Sequence, residues 1–402
     1  MRLTLQATPR TPHAFHLVPC RFSLGPFPRL AMKTRVTQTD IARVAGVHNT
    51  TVSLALRNSQ LIPDATRERI RAVATRMGYC PDPALRALVA YRNSRRQNRQ
   101  PVTIAYATNW STRWGWKEMI HQEKYYEGAK RKAAEYGYHL EHFWLGEEGM
   151  SLGRFNQMLV HRGIRGLLLA AHDDCSDELP GIDWSRLSAV KIGSFPRSPA
   201  LHQVTVDQAG ITNLAVRRIR ETGRHRIGFV VPHDLDRLSD QAWSRAILAE
   251  QAQLPNRERL PVLRLAPLSP DNPVSAKRVP QSDDTQKLAT WYDQHQPEAI
   301  VSFTPAMLEH LGRLGLETPR DVAYVDLCLA DAPASAGVNQ NSERIGEIAV
   351  EMLAAQLEQN IFGAPAVPTI TSVTGTWIEG HSLTAAREIT AVATAQTAHL
   401  VA

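Results

Sequence analysis

The sequence predicts an all-α helix-turn-helix headpiece joined to a larger α/β body made of two lobes of doubly wound parallel sheet. Three observations predict it. A capped helix, a glycine turn and a second short helix fall between Val36 and Gly78. Charge is divided unevenly: from Lys33 to Arg99 there are 13 Lys/Arg against 4 Asp/Glu, while residues 101–402 net −6. Finally, strand-like and helix-like periods alternate from Val102 onward and restart near Arg226.

In the head, Thr37-Gln38-Thr39-Asp40 has the hydroxyl-then-acid spacing of a capping box. Ile41, Val44 and Ala45 follow at helical spacing, and Gly46 supplies the left-handed residue that ends a helix. The next segment, Asn49 to Leu56, buries Val52, Ala55 and Leu56 on one side. That leaves His48, Asn49, Thr50, Ser53, Leu54 and Arg57 near the outer side or the end. A third helix begins at Pro63, where a missing N–H costs least, closes the core with Ile70, Val73, Ala74 and Met77, and stops at Gly78. In a helix-turn-helix the second helix enters the major groove with its N-terminal residues at the base edges. A small helical bundle with no ligand has the same spacing. The basic charge of the head and the mildly acidic body favour a phosphate-binding module.

The run DIARxAGV…TVS…TRERI…GYxPDPxLxAL resembles the headpiece of the lactose-repressor (LacI/GalR) family of bacterial transcription regulators, in a variant branch with PDP and a following Ala-Leu. The resemblance implies that Thr37, Gln38 and Thr39 lie near the phosphate backbone. It puts Asn49, Thr50 and Leu54 on base-reading positions and Ser53 and Arg57 on positions that touch phosphate or base edges. His48 joins this DNA-binding set. Two departures stand out. Many members carry arginine where this chain has Leu54, and leucine can touch a thymine methyl but cannot read guanine bidentately. Arg57-Asn58 also replaces the usual Asn-Gly, so familiar operator rules do not transfer.

Asp82-Pro83 is a helix start, and the short segment that follows would be marginal on its own. The resemblance implies a hinge helix, within residues 82–100, that folds against DNA and its twin, with Leu88 wedged into the minor groove. The alternative is that Leu85 and Leu88 pack onto the body. Residues 1–31 carry four arginines, five prolines and no acid, without helical period. They read as a disordered tail or as sequence upstream of a true start at Met32, and the DNA-binding domain as 33–81.

The body, residues 101–384, divides into two series. Strands are expected at Val102–Thr108, His139–Trp144, Gly166–Ala171, Ala189–Ile192 and Val204–Asp207, with helices between and at Ile211–Glu221. The second series has strands at Arg226–Val231, Ala299–Phe303, Val322–Asp326 and Thr369–Val373, and helices at Asp240–Glu250, Met307–Gly315 and Arg344–Glu358. Residues 255–285 read as an irregular connection and 385–402 as a loose tail. Scattered motifs, among them Arg162–Gly166, Val206-Asp207 and Pro319-x-Asp321-Val322, resemble the family's periplasmic-binding-protein-like body. That resemblance implies a small effector in the cleft between lobes and a homodimer that pairs two heads on a pseudo-palindromic double-stranded DNA operator.

Ligands of open α/β sheets bind beyond the carboxyl ends of strands. This rule nominates Asn109, Trp110, Arg113, Trp114, Trp116, His172, Asp207, Trp243, Ser302 and Asp326 for the effector. Three of the eight tryptophans crowd into residues 110–116. They either stack on the apolar faces of a carbohydrate or pack against a neighbouring helix or a dimer interface. Asp207 either touches ligand or is structural. Where many relatives have Gly-Phe-Asp, this chain has Val325-Asp326-Leu327-Cys328, with the aspartate displaced and a cysteine in its place.

No phosphate loop, nucleophile elbow or paired-histidine metal motif occurs, so the chain is read as no enzyme, with no cofactor and no metal. Four scattered cysteines fit a reducing compartment. No stretch approaches the roughly 20 apolar residues of a membrane span. The expectation is a bacterial, cytoplasmic, nucleoid-associated regulator, a repressor controlled by a sugar or sugar derivative. The competing classes are a solute-binding protein without DNA function, which would need an export signal, and a non-specific architectural DNA binder, which would not need two lobes.

Overall fold

The computed structural model describes residues 36–59, 61–80, 101–172, 179, 181–194, 197–265, 282–303, 306–329 and 335–384. The expected hinge helix with Leu88, the N-terminal 31 residues and the tail from 385 lie outside the described residues.

The head is three helices: α1 (Gln38–Ala45), α2 (Asn49–Leu56) and α3 (Asp64–Arg76). Thr37 and Asp40 close the expected capping box, with the Thr37 amide donating to Asp40 Oδ2 at 3.0 Å and Gly46 at φ 64° ending α1. The core is Ile41, Ala42, Ala45, Val52, Ala55, Ile70, Val73 and Ala74, with Leu56 and Met77 packed at its edge. Val44, expected inside, is 57% exposed. The buried stripe of α1 turns toward Ala42 instead, which leaves Val44 on its outer margin.

In the body the first lobe is a wholly parallel sheet in the order β11-β5-β4-β3-β1-β2. Its strands are β1 (Val102–Asn109), β2 (Tyr138–Trp144), β3 (Gly166–His172), β4 (Ser188–Ile192), β5 (His202–Val206) and β11 (Ile370–Val373). Packed with it are α4 (Ile120–Glu135), α5 (Leu152–His161) and α11 (Ser342–Gln359). The second lobe has the order β12-β10-β9-β8-β6-β7, parallel except where β12 runs against β10. Its strands are β6 (Ile227–Pro232), β7 (Leu263–Leu265), β8 (Ala299–Ser302), β9 (Ala323–Asp326), β10 (Ala336–Asn339) and β12 (Thr376–Ile378). Its helices are α6 (Gln208–Glu221), α7 (His233–Leu238), α8 (Ala242–Ala252), α9 (Ser282–His295) and α10 (Ala306–Arg313).

The expected strands form, but Ile370–Val373, expected to close the second series, pairs parallel with β5 and completes the first sheet, and α11 packs on that lobe too. β7 corrects the reading of 255–285 as wholly irregular. It is a three-residue edge strand centred on Arg264, too short and too polar to leave a period. β10 and β12 were also absent from the sequence reading. β10 carries a glycine and an asparagine, and β12 is only three residues long.

The chain passes between lobes three times: after β5, after β10 and between β11 and β12. The last strand of the first sheet thus comes from near the end of the chain. α11 crosses α4 at close range because Gly128 and Gly346 face the partner backbone. A Cβ at Gly128 would overlap the Glu343 carbonyl, and one at Gly346 the Tyr125 carbonyl. Around this contact Arg131 bridges Glu343 at 2.8 Å and Glu347 at 2.6 Å. These bridges are partly exposed and add little, so the helix contact depends on the glycines. Gly346→Val should therefore destabilise the body by about 1–3 kcal/mol, read as a lowered thermal unfolding temperature with strand content retained. An unchanged midpoint would contradict close packing here.

Candidate DNA-reading surface and interlobe cleft

α2 presents its buried side, Val52 and Ala55, to the head core, so Asn49, Thr50, Ser53, Leu54 and Arg57 form a stripe on the other side. Asn49, Thr50 and Arg57 are exposed, and Ser53 and Leu54 are half-buried. His48 is the N-cap, its side chain accepting from the Thr50 amide. Arg57 lies back along the helix, Nε donating to the Ser53 carbonyl at 3.2 Å and an Nη to Ser53 Oγ at 3.0 Å. Thr37 and Thr39 are exposed at the start of α1, and Gln38 donates to the Tyr79 hydroxyl at 3.1 Å, which ties α1 to the end of the head. No acidic side chain lies in α2, and α1 keeps Asp40 in its own cap and against Arg43 at 3.0 Å. The stripe is therefore a neutral polar surface suited to base edges, flanked by basic residues suited to phosphates.

The turn after α2 also touches the body. Asn360, the left-handed C-cap of α11, donates its Nδ2 to the Arg57 carbonyl at 2.6 Å, and Asn58 donates back to the Asn360 carbonyl at 3.4 Å. The contact uses the far end of α2 and leaves His48, Asn49 and Thr50 exposed.

Between the lobes, the carboxyl ends of the strands enclose a narrow cleft with a cavity volume of ≈ 90 Å³. The first lobe contributes Trp110, Met119, His121, Gln122, Tyr125, Ala171, His172, Ile192, Gly193, Ser194, Thr205 and Val206. Leu235, Leu238, Ser239, Trp243 and Cys328 come from the second, and Gln208 and Gln340 from the crossings. Among these described residues none is Asp, Glu, Lys or Arg. Gln340 donates its Nε2 to the Leu327 carbonyl at 2.7 Å, and Trp243 meets Phe303 edge-on at 4.7 Å between centroids.

The ten nominated effector residues separate cleanly. Trp110, His172 and Trp243 line the cleft. Trp116 does not. It is fully buried against Tyr106 and Tyr126 and donates Nε1 to the Arg113 carbonyl at 3.1 Å. Trp114 is 47% exposed and lies outside the cavity, stacked near His142 at 4.5 Å with Lys117 4.8 Å over its ring. Arg113 faces solvent within 3.9 Å of Glu147. Ser302 is buried and spends its hydroxyl on the Val230 carbonyl at 2.9 Å. Asp207 caps α6, its Oδ1 accepting from the Gly210 amide at 2.9 Å. Asn109 ends β1 without reaching the cavity wall. The tryptophan cluster thus divides: one ring faces the cleft, one is core, one is surface.

Asp326 is not a wall residue either. It is buried, accepts from the Cys328 amide at 2.8 Å, and burial pushes its carboxyl up to about 6 against the pull of that bond. Cys328 takes the place at the cleft instead. Its Sγ lies 3.8 Å from His121 Nδ1, which comes from the opposite lobe. Burial pushes the thiol up to about 12 and the imidazole down to about 4, so both are neutral at pH 7. Sequence reasoning missed His121, Gln122, Tyr125 and Ser239. The only signal for His121, Gln122 and Tyr125 was their position in the first turns of α4, and Ser239, the C-cap of α7, had none.

Two sheets of this order, joined by three crossings and carrying a helix-turn-helix, define a DNA-binding transcription regulator with an effector-binding core. Residues 37–82 match the family described as bacterial regulatory proteins, lacI family. The chain is 24% identical over 345 residues to the HTH-type transcriptional repressor PurR of Vibrio vulnificus (strain CMCP6), covering 80% of this chain and 92% of that one. It is 27% identical over 342 residues to the HTH-type transcriptional regulator CelR of Thermobifida fusca, with the same coverage. In fold it is similar to a CelR–cellobiose complex (TM-score 0.52, 20% identity, 87% of this chain and 100% of that chain). It is also similar to the Lac repressor dimer bound to operator and the anti-inducer ONPF (TM-score 0.51, 17% identity, 87% and 99%). The chain is thus similar over most of its length to LacI-family transcription regulators, and its residues 37–82 carry that family's helix-turn-helix match.

The raised carboxyl of Asp326 has a signed consequence. Its stabilising contribution is complete below the ordinary aspartate range near ~4 and is lost as pH rises through about 6. Asp326→Asn keeps an acceptor for the Cys328 amide and carries no charge. Relative to wild type, the variant should gain about 2–3 kcal/mol between pH 4 and pH 7, measured as diverging unfolding midpoints. A gap independent of pH would contradict a buried, reluctantly charged Asp326.

Proposed function

We propose that the chain is a sequence-specific repressor whose grip on an operator is set by an uncharged sugar or sugar derivative bound between the lobes. In this reading residues 33–81 are the DNA-binding domain, 82–100 the hinge and 101–384 the effector-binding and dimerisation domain. Two copies would place two heads on a pseudo-palindromic site. The observation that carries the ligand class is the cleft wall. Trp110 and Trp243 come from opposite lobes and supply aromatic faces. Gln122, Ser194, Gln208 and Ser239 supply neutral hydrogen-bonding groups, and no formally charged side chain intrudes among the described lining residues. A phosphorylated or carboxylated ligand would find no cation among those described residues. The relative whose solved structure holds cellobiose supports trying glucosides first.

A ligand that touches both lobes favours one interlobe angle over others, and its influence on DNA equals its difference in affinity between those states. A gel shift of DNA from upstream of the gene itself, with and without cellobiose and other neutral saccharides, tests this. Binding to a discrete sequence, changed severalfold by at least one neutral sugar, is the expected outcome. Binding without sequence preference would point to an architectural protein. A response confined to sugar phosphates would contradict the ligand class.

Leu88→Ala tests the hinge as a minor-groove wedge. Specific DNA binding should fall by about tenfold and non-specific binding should change little. Equal losses would contradict the wedge.

A further inference from the structure

The recognition helix of this chain starts on a histidine. His48 Nδ1 lies 2.9 Å from Thr50 Oγ1 and 3.3 Å from the Thr50 amide nitrogen. The amide can only donate, so Nδ1 must offer its lone pair to it. A proton on Nδ1 would set two N–H groups against each other. The ring proton therefore sits on Nε2, which fixes the tautomer. The single Nδ1 lone pair is then shared in a three-centre bond, receiving the Thr50 O–H at the shorter distance together with the amide N–H. That turns the hydroxyl proton back toward the cap and leaves the oxygen lone pairs of Thr50, an exposed residue, as what it offers.

We propose that His48 fixes the hydrogen-bond sense of Thr50 and makes it an acceptor-only reader of the major groove; this rests on the DNA-reading role proposed above. An unconstrained threonine hydroxyl serves bases as donor or acceptor alike. With its proton engaged by His48, Thr50 takes an exocyclic amino group, N6 of adenine or N4 of cytosine. It gives nothing to a purine N7 or to the oxygens of guanine and thymine. The imidazole thus closes the helix start and selects what Thr50 can read, while Nε2–H on the other side of the ring remains a donor suited to a phosphate oxygen. His48 acts here as a positioning residue, through Thr50.

The test uses the full chain and a randomised duplex DNA pool. Wild type and Thr50→Val are each selected for bound sequences, and the base pair whose choice differs between them marks the Thr50 position. Duplexes are then made with that pair lacking only its exocyclic amino group, or carrying a 7-deazapurine in place of its N7. Loss of the amino group should weaken wild-type binding by about five- to tenfold, loss of N7 by less than about twofold, and Thr50→Val should be insensitive to both. His48→Asn keeps an acceptor at the cap and should retain the wild-type choice, whereas His48→Leu should lose it. The helix content of each variant is followed by circular dichroism. The analogue series on wild type decides the matter even if His48→Leu unfolds the head. A costly loss of N7, dependence on a thymine methyl alone, or a Thr50→Val selection identical to wild type would each overturn the inference while leaving the regulator reading intact. A pool that yields no enriched sequence would sink both.

Discussion

The two lobes depend on one polar clamp where the chain crosses between them. Asn341, in the left-handed conformation at φ 53°, donates its backbone amide to Asn339 Oδ1 at 2.8 Å and its Nδ2 to the Thr374 carbonyl at 2.8 Å and to Thr376 Oγ1 at 3.0 Å. It ties the second crossing to the third. The Asp207 amide, donating to the Val373 carbonyl at 2.9 Å, ties the first to the same place. These ties gather the three crossings at the carboxyl end of β11, whose own ladder with β5 holds it in the first sheet, and they fix where α11 starts. The cleft follows from the same constraint, because it opens where the crossings meet and its wall includes Gln208 and Gln340, one from each of two crossings. A change in lobe angle must be absorbed at this neck, so a ligand bound beside it acts where motion between lobes concentrates.

α11 carries that geometry away from the cleft. It starts at the clamp, is locked against α4 by the glycine contact, and ends on Asn360, which bonds the turn after the recognition helix. The helix therefore has one end at the ligand's neck and the other at the head, with a rigid contact between. Its 18 residues span about 27 Å at helical rise. The head in turn is organised from its caps. Thr37 sets where α1 begins, Gly46 where it stops, and His48 where α2 begins. Together they present Asn49 and Thr50 outward and Val52 inward.

Much of this was legible in the sequence where local chemistry decides. Caps, glycine stops and long apolar strands such as Gly166–His172 fix elements without reference to anything distant, and these were read correctly in place and kind. Elements that depend on a distant partner left no such trace. β7, β10 and β12 are strands only because a neighbour from the same sheet pairs with them. The candidate site divides the same way. Trp110, His172 and Trp243 follow the rule of strand ends and helix starts and stand at the cleft. Trp114 and Trp116 share their composition and differ only in which way the loop after β1 turns, a choice made by Tyr106, Tyr126 and Lys117. Asp326 and Cys328 are two residues apart, and the direction of each side chain at the end of β9 decides that the thiol, not the carboxylate, meets the opposite lobe.

The account stands or falls on coupling between the cleft and the head, and coupling is reciprocal. The direct measurement is calorimetric titration of a neutral saccharide into the full chain, free and saturated with its selected DNA. The affinity for the saccharide should differ between the two, by the same factor by which the saccharide alters the affinity for DNA. Identical saccharide affinities with and without DNA would show that the cleft and the head act independently, and would contradict the account.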